Sequence, residues 1–358
     1  MNKSILSLSL MSSLVLLTLT ACDKSEDKNV EAKVATEVSA VAKVEEAPNE
    51  IVVYSSRNEH LIKPFFEEFT ANTGIPVKYI TDKAGPLVTR LKAEGERTQA
   101  DIFMTVDAGN LWFAKKEGVL QPIESAVLEA NVPAHLQDPD NYWYGLTVRA
   151  RTMVYDTNKI SPEDLSSYED LADPKWQGRL CLRTSKKVYN QSLVAMLIAR
   201  HGEAKAEEIV KGWVANLATD PFSNDTKVMK AIEAGQCEVG IVNSYYFGRL
   251  QKENPEINLA LYLPAESEQG VHVNISGAGI TKYADNPKAA LQLIEWLSSI
   301  DAQKMYAGLN MEYPVNESVD LVEQVKAWGE FKADDMNLSK AGELQAAAVQ
   351  LMDRVGYK

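Results

Sequence analysis

Short β-branched runs alternate with helical stretches closed by glycine along most of this chain, and that alternation restricts the fold more than any other feature. Ile51 to Ser55 reads as a strand, and His60 to Thr73 follows as a helix with Leu61, Phe65, Phe66 and Phe69 on one face and Gly74 at its end. Pro76 to Ile80 predicts a second strand, Leu87 to Ala93 a helix before Gly95, Asp101 to Thr105 a third strand, and Ala108 to Glu117 a helix closed by Gly118. Strands separated in this way by helices make βαβ units around a mostly parallel sheet, so the predicted class is α/β. No internal repeat of solenoid length interrupts the pattern.

The texture changes twice. Trp143 to Tyr155 is a long extended stretch, and Ile257 to Leu263 followed by Val271 to Ile280 is another. Two extended crossings between α/β blocks are what a hinged two-lobed protein needs, because strands that pass between lobes flex with small changes in φ and ψ. The expected division places 51–147 and 270–325 in lobe one, and 148–269 with the C-terminal helices of 326–358 in lobe two.

At the amino end, Lys3 is the only charge in residues 1–21 and precedes an apolar run from Ile5 through Leu19. This pattern reads as a secretory signal segment and is too short and one-sided for an ordinary membrane span. The ending Leu19-Thr20-Ala21-Cys22 resembles a bacterial lipobox, which implies that Cys22 becomes a lipidated first residue. Asp23 directly after it resembles the signal for retention at the inner membrane. From Cys22 to Glu50 the chain is rich in Ala, Val, Glu and Lys without aromatics or Gly, so it reads as a tether that cannot bury a core. The expected location is therefore the periplasm, with membrane contact through the lipid anchor only.

The formal net charge of -13, or -14 once residues 1–21 are removed, repels nucleic acid and favours capture of cations. Nothing in the sequence calls for more than a monomer. Two cysteines remain after lipidation, Cys181 and Cys237, each opening a strand-like run in a compartment that permits disulfides. If the two strands are parallel neighbours, their starts fall within bridging range, so a disulfide is expected over two free thiols.

Tyr245 and Tyr246 end the apolar run Val239-Gly240-Ile241-Val242-Asn243-Ser244, and Tyr189 lies in Lys187-Val188-Tyr189-Asn190-Gln191-Ser192. Adjacent tyrosines after an apolar strand are ordinarily packed core or rim residues. Converging phenols, however, suit a hard trivalent cation. Ionising three groups of pKa about 10 at pH 7 costs roughly 4 kcal/mol each, about 12 kcal/mol together, which only a strongly bound ion such as Fe(III) offsets.

Several stretches together resemble the bacterial periplasmic ferric-ion-binding proteins of the FbpA/FutA type. They are Val53-Tyr54-Ser55-Ser56-Arg57, Ala100 through Trp112, Tyr168 through Trp176, Tyr189-Asn190-Gln191-Ser192, Asn243-Ser244-Tyr245-Tyr246 and Asn310 through Asn316, spanning essentially the whole chain after the tether. The resemblance implies a two-lobed periplasmic-binding-protein fold of class II with two crossing hinge strands. It also implies Fe(III) held by the phenolates of Tyr189, Tyr245 and Tyr246, and delivery to an ABC transporter permease in the inner membrane. Many members carry a histidine, often followed by a tyrosine, after the equivalent of Tyr54-Ser55-Ser56-Arg57, whereas this chain has Asn58 and Glu59. Glu59 is a hard oxygen donor and His60 a neighbouring one, so both are further candidate ligands; otherwise water or an anion such as carbonate or citrate completes the sphere. Arg57 and Arg183, at the carboxyl ends of expected strands, are the candidate anion partners, while Arg149 and Arg151 are expected to serve lobe contacts. Asp107 and Asn110 read as a helix cap first.

An enzyme is not expected. The sequence has no Gly-rich phosphate loop, no Gly-x-Ser-x-Gly elbow and no zinc-type spacing, and its four histidines are scattered. The competing function is a binding protein of the same fold for an organic or anionic solute such as a polyamine, thiamine or phosphonate.

Overall fold

A computed structural model gives the structure of the protein over residues 50–263 and 270–358; the expected signal segment, Cys22 and almost all of the tether lie outside the described residues. Strand β1 (Ile51–Ser55) leads into helix α1 (Lys63–Thr73), which has Pro64 in its first turn, buries Phe65, Phe66 and Phe69, and stops at Gly74. Gly74 sits at φ 74°, the left-handed conformation in which glycine caps a helix without penalty. β2 (Val77–Thr81), α2 (Ala84–Glu94), β3 (Ile102–Val106), α3 (Ala108–Lys116) and α4 (Ala126–Asn131) complete this first run.

The next strand, β4 (Tyr144–Asp156), is 13 residues long and buried throughout. After it come β5 (Leu180–Cys181), α5 (Val188–His201), α6 (Glu203–Ala215), α7 (Asp225–Glu233), β6 (Val239–Asn243), α8 (Ser244–Glu253) and β7 (Leu259–Tyr262). β8 (Val273–Ile280) and helices α9 (Pro287–Leu297), α10 (Ile300–Met305), α11 (Glu323–Lys326), α12 (Ser339–Glu343) and α13 (Gln345–Arg354) follow.

Among the described residues the strands join in the order β2-β1-β3-β8-β4-β6-β5, with β7 also on β4. The outer pairs β1–β2, β1–β3 and β5–β6 are parallel, but every pairing of β4 and β8 is antiparallel, so the sheet is mixed rather than mostly parallel. The reason is topological: β4 and β8 are the two long extended segments, and neither is reached through a helical crossover from its neighbour. Along β4 the partner changes at one point. Tyr144 to Ala150 pair with β8, whereas Arg151 to Tyr155 pair with β6.

The core divides accordingly. One apolar cluster gathers β1 to Ala150 with β8, α9 and residues as far as Leu338 and Ala341; a second gathers Met153 to Ile241 with Ala348, Leu351, Met352 and Tyr357 of the chain end. A third packs Val154 and Cys181 against α7, Val242 and Phe247. Tyr168 ties the two crossing strands, since its hydroxyl donates to the Arg151 carbonyl and accepts from the His272 amide at 3.0 Å.

Cys181 and Cys237 are joined in a disulfide with Cα atoms 5.9 Å apart. Parallel pairing of Leu180 with Val239 and Cys181 with Gly240 brings the strand starts together. The bridge closes a separation of 56 residues that contains Tyr189, so it restricts the unfolded chain more than the folded one. Replacing both cysteines by serine is expected to cost roughly 2–4 kcal/mol, read as a lower denaturation midpoint. A midpoint equal to that of the parent chain would mean the bridge adds nothing to stability.

Candidate metal centre

Tyr189, Tyr245 and Tyr246 all lie in the first turn of a helix that starts at the edge of the same part of the sheet. β6 ends at Asn243 and α8 begins at Ser244, while α5 begins at Val188. The unpaired amides and aligned dipoles of a helix amino terminus favour negative charge, so these positions lower the cost of a phenolate. The structure brings the rings together across 56 residues of sequence: the Tyr245 hydroxyl donates to that of Tyr189 at 3.4 Å. The Tyr245 and Tyr246 rings lie 4.4 Å apart at 34°. Tyr245 is buried, and the other two are half-buried.

Four arginines surround these rings. The Arg183 guanidinium carbon lies 5.1 Å from the Tyr189 ring centre, and the Tyr246 phenol also interacts electrostatically with its charge. Arg149, expected as a lobe contact, donates to the Ile275 carbonyl of β8 and also lies 5.7 Å from the Tyr189 ring. Arg249, which no sequence motif singled out, stands 5.0 Å from the Tyr245 ring and 6.0 Å from that of Tyr246. The signal was available in principle, because residues three and four apart on a helix share a face. Arg57 approaches from β1 and interacts electrostatically with Tyr245.

Burial pushes the Tyr245 phenol well above its ordinary value, and the neighbouring Tyr189 and Tyr246 add to the rise while Arg149 opposes it. In the absence of a cation the Tyr245 phenol is therefore held in its protonated form. Burial opposes the charge of Arg183, but Asp225 and the phenols outweigh it and raise its pKa.

The arginines differ in what they have left to offer. Both terminal nitrogens of Arg57 are taken: they fork to Glu312 at 3.1 and 3.0 Å, and Nη1 also donates to Ser276. Arg57 holds Glu312 below the usual carboxylate range against the opposing effect of burial. Arg183 donates from Nη1 to Asp225 at 3.3 Å. Among the buried side-chain atoms without a partner are Nε of Arg57, Arg149 and Arg183, and Nη2 of Arg249. Several N–H donors around the phenols are thus unsatisfied, an arrangement that suits an oxygen anion.

Beneath the rings lies a polar floor. Asp225 is fully buried and accepts from Arg151 at 3.2 Å, from Arg183, and from the Asn243 amide at 3.0 Å. Arg151 also donates to Asn243 Oδ1 at 3.0 Å and to Asn190 Oδ1. Asn243 Nδ2 reaches the Tyr245 hydroxyl at 3.3 Å, so the floor is tied to the rings. Arg151 thus belongs to this floor, and Asp225 escaped the sequence reading because Asn224-Asp225 looks like an ordinary helix start.

Glu59 and His60 lie exposed in a short 3-10 turn, and Glu59 accepts from the Tyr79 hydroxyl at 2.9 Å. Among the described residues no group of three or more His, Cys, Asp or Glu side chains could hold a metal ion. Asp107 caps α3 by accepting from the Gly109 amide at 2.9 Å, and Asn110 donates to the Val106 carbonyl at 2.7 Å.

Residues 98–338 match the profile of a family described as bacterial extracellular solute-binding protein. Iron uptake protein A1 of Synechocystis sp. is 43% identical over 315 residues, covering 86% of this chain and 88% of that protein. A Trichodesmium FutA (IdiA) structure in complex with iron and citrate ligands superposes with a TM-score of 0.83 at 44% identity, over 86% of this chain and all of that one. The ferric binding protein from Campylobacter jejuni gives 0.80 at 36% identity, again over 86% of this chain and all of its own.

Proposed function

The chain belongs to the bacterial extracellular solute-binding proteins, in their periplasmic ferric-iron-binding branch, and we propose that it holds Fe(III) through the phenolates of Tyr189, Tyr245 and Tyr246. It binds ferric iron between the two α/β lobes of a class II periplasmic-binding-protein fold and delivers it to a transporter. Its relatives are transport proteins rather than enzymes, and the family partner is an ABC permease. We place the protein in the periplasm on the lipid tether at Cys22, with lobes near 51–147 and 270–325, and 148–269 and 326–358. The change of partner along β4 between Ala150 and Arg151 supports a hinge there.

One observation carries the ligand assignment: the cluster is built from phenols in first helical turns, and no cluster of three or more His, Cys, Asp or Glu side chains offers an alternative metal site among the described residues. Phenolate is a hard oxygen donor, matched to a hard trivalent ion and poorly matched to Fe(II), so reduction or lobe opening releases the cargo. The unsatisfied N–H groups of Arg149, Arg183 and Arg249 supply the contacts for a carbonate- or citrate-like anion that fills the remaining coordination positions. Arg57 is largely spent on Glu312, and Glu59 on Tyr79, so each contributes only if it exchanges its present partner.

Titration of the iron-free protein with a ferric salt and citrate is expected to produce a visible phenolate-to-iron charge-transfer band. Binding is expected to release about three protons, one for each phenol. A colourless product would sink the ligand assignment and favour an organic or anionic solute of the same fold.

A further inference from the structure

Ser192 lies three residues beyond Tyr189 on α5, which puts both side chains on one face of that helix. The Ser192 hydroxyl is fully buried and donates to both carboxylate oxygens of Asp107, at 2.8 and 2.7 Å. Asp107 belongs to the other half of the molecule, at the junction of β3 and α3. Its φ of 78° is uncommon for a residue with a side chain and is held by fixed partners on both sides. The Asp107 amide donates to the Ile275 carbonyl at 2.7 Å, its carboxylate accepts from the Gly109 amide, and Asn274 Nδ2 donates to it at 2.7 Å. Both Asn274 and Ile275 lie on the crossing strand β8. Arg149, whose guanidinium stands over the Tyr189 ring, also faces this carboxylate and attracts it. The aspartate therefore reaches Tyr189 by two routes, through Ser192 on the same helix and through Arg149.

A residue needed only as a helix cap would be complete with the Gly109 amide. Here the cap aspartate also takes the one serine hydroxyl of the helix that carries Tyr189. We propose that the Asp107–Ser192 hydrogen bond is a closure latch, which fastens α5 to the β3–α3 junction and the hinge strand and so fixes Tyr189 in its liganding position. Asp107 and Ser192 are positioning residues, not ligands, and this role rests on the reading of Tyr189 as a donor to iron.

Ser192→Ala removes the latch while leaving the α3 cap and all three phenols in place. It is expected to release Fe(III) to a competing chelator about tenfold faster, the order expected from losing a buried hydrogen bond to a charged group, with the charge-transfer band at an unchanged wavelength. In a double-mutant cycle with Asp107→Ala, in which the lost α3 cap is common to the variants compared, the release rates are expected to be non-additive, because both changes remove the same bond. Small-angle scattering of the iron-free chain supplies a second readout, in which Ser192→Ala is expected to give a larger radius of gyration. Unchanged release together with an unchanged radius overturns the latch. So does fully additive behaviour in the cycle. If the parent chain itself gives no charge-transfer band, the ligand assignment fails, and the scattering measurement still decides whether the latch holds the halves together.

Discussion

Replacing Tyr245 and Tyr246 together by phenylalanine is expected to lower ferric affinity by about 10⁴-fold or more. Sites built from three or four protein donors bind their ions with roughly 10–16 kcal/mol of apparent free energy, so two donors carry on the order of half. The rings remain, and with them the stacking of the pair at 4.4 Å and the packing around Tyr245. What is lost from the metal-free protein is the hydrogen bonding of the Tyr245 hydroxyl with Tyr189 and Asn243, worth about 1 kcal/mol. Binding should thus collapse while the fold survives, a separation that chelator competition and thermal denaturation measure side by side.

The pH dependence follows in sign and in size. Burial raises the Tyr245 phenol and keeps its proton on in the metal-free state, and phenolate ligation displaces protons, so the apparent affinity rises with pH. The logarithm of the affinity should climb with a slope near three for the parent chain and near one for the double variant, whose remaining donor is Tyr189. Retained tight binding in the double variant, or a slope unchanged by it, would remove these tyrosines from the coordination sphere.

Asp225→Ala is expected to cost roughly 3–5 kcal/mol of stability, the effect of stripping the counter-ion from buried charges. Asp225 is fully buried and is the carboxylate shared by Arg151 and Arg183, whose side chains are themselves almost wholly buried. Removing it leaves two guanidiniums facing each other without a compensating charge and frees the Asn243 amide that starts α8. In a domain whose total stability is of the order of 5–15 kcal/mol, such a loss moves the denaturation midpoint by about 10 °C. Asp225→Asn keeps one of the two acceptor oxygens but no charge, and should fall between the parent chain and Asp225→Ala. An Asp225→Ala chain that melts with the parent would mean the arginines find other partners.

The alternation of strands and helices was legible because periodicity is local: Phe65, Phe66 and Phe69 announce a buried helical face, and Gly74 its end. The mixed direction of the sheet was not, because whether β4 and β8 run parallel or antiparallel to their neighbours depends on where each chain segment enters the sheet. Tyr245 and Tyr246 were found through their adjacency and motif. The approach of Arg149 and Arg249 to the rings was not legible, since an arginine in a strand or a helical turn looks ordinary until the rings it covers are in place.

Sequence by itself determined the α/β class and the family resemblance and singled out Tyr189, Tyr245 and Tyr246 as candidate donors, because residue type and short spacing carry hard-donor chemistry and helical or strand periodicity without reference to distant parts of the chain. Tertiary structure alone decided which charges serve those phenols. Arg57 is drawn to Glu312, more than 250 residues away, and Asp225 is shared by Arg151 and Arg183. In a buried setting a charge is stabilised only by the partner that the fold delivers within hydrogen-bonding reach, and no local pattern in the chain encodes that meeting.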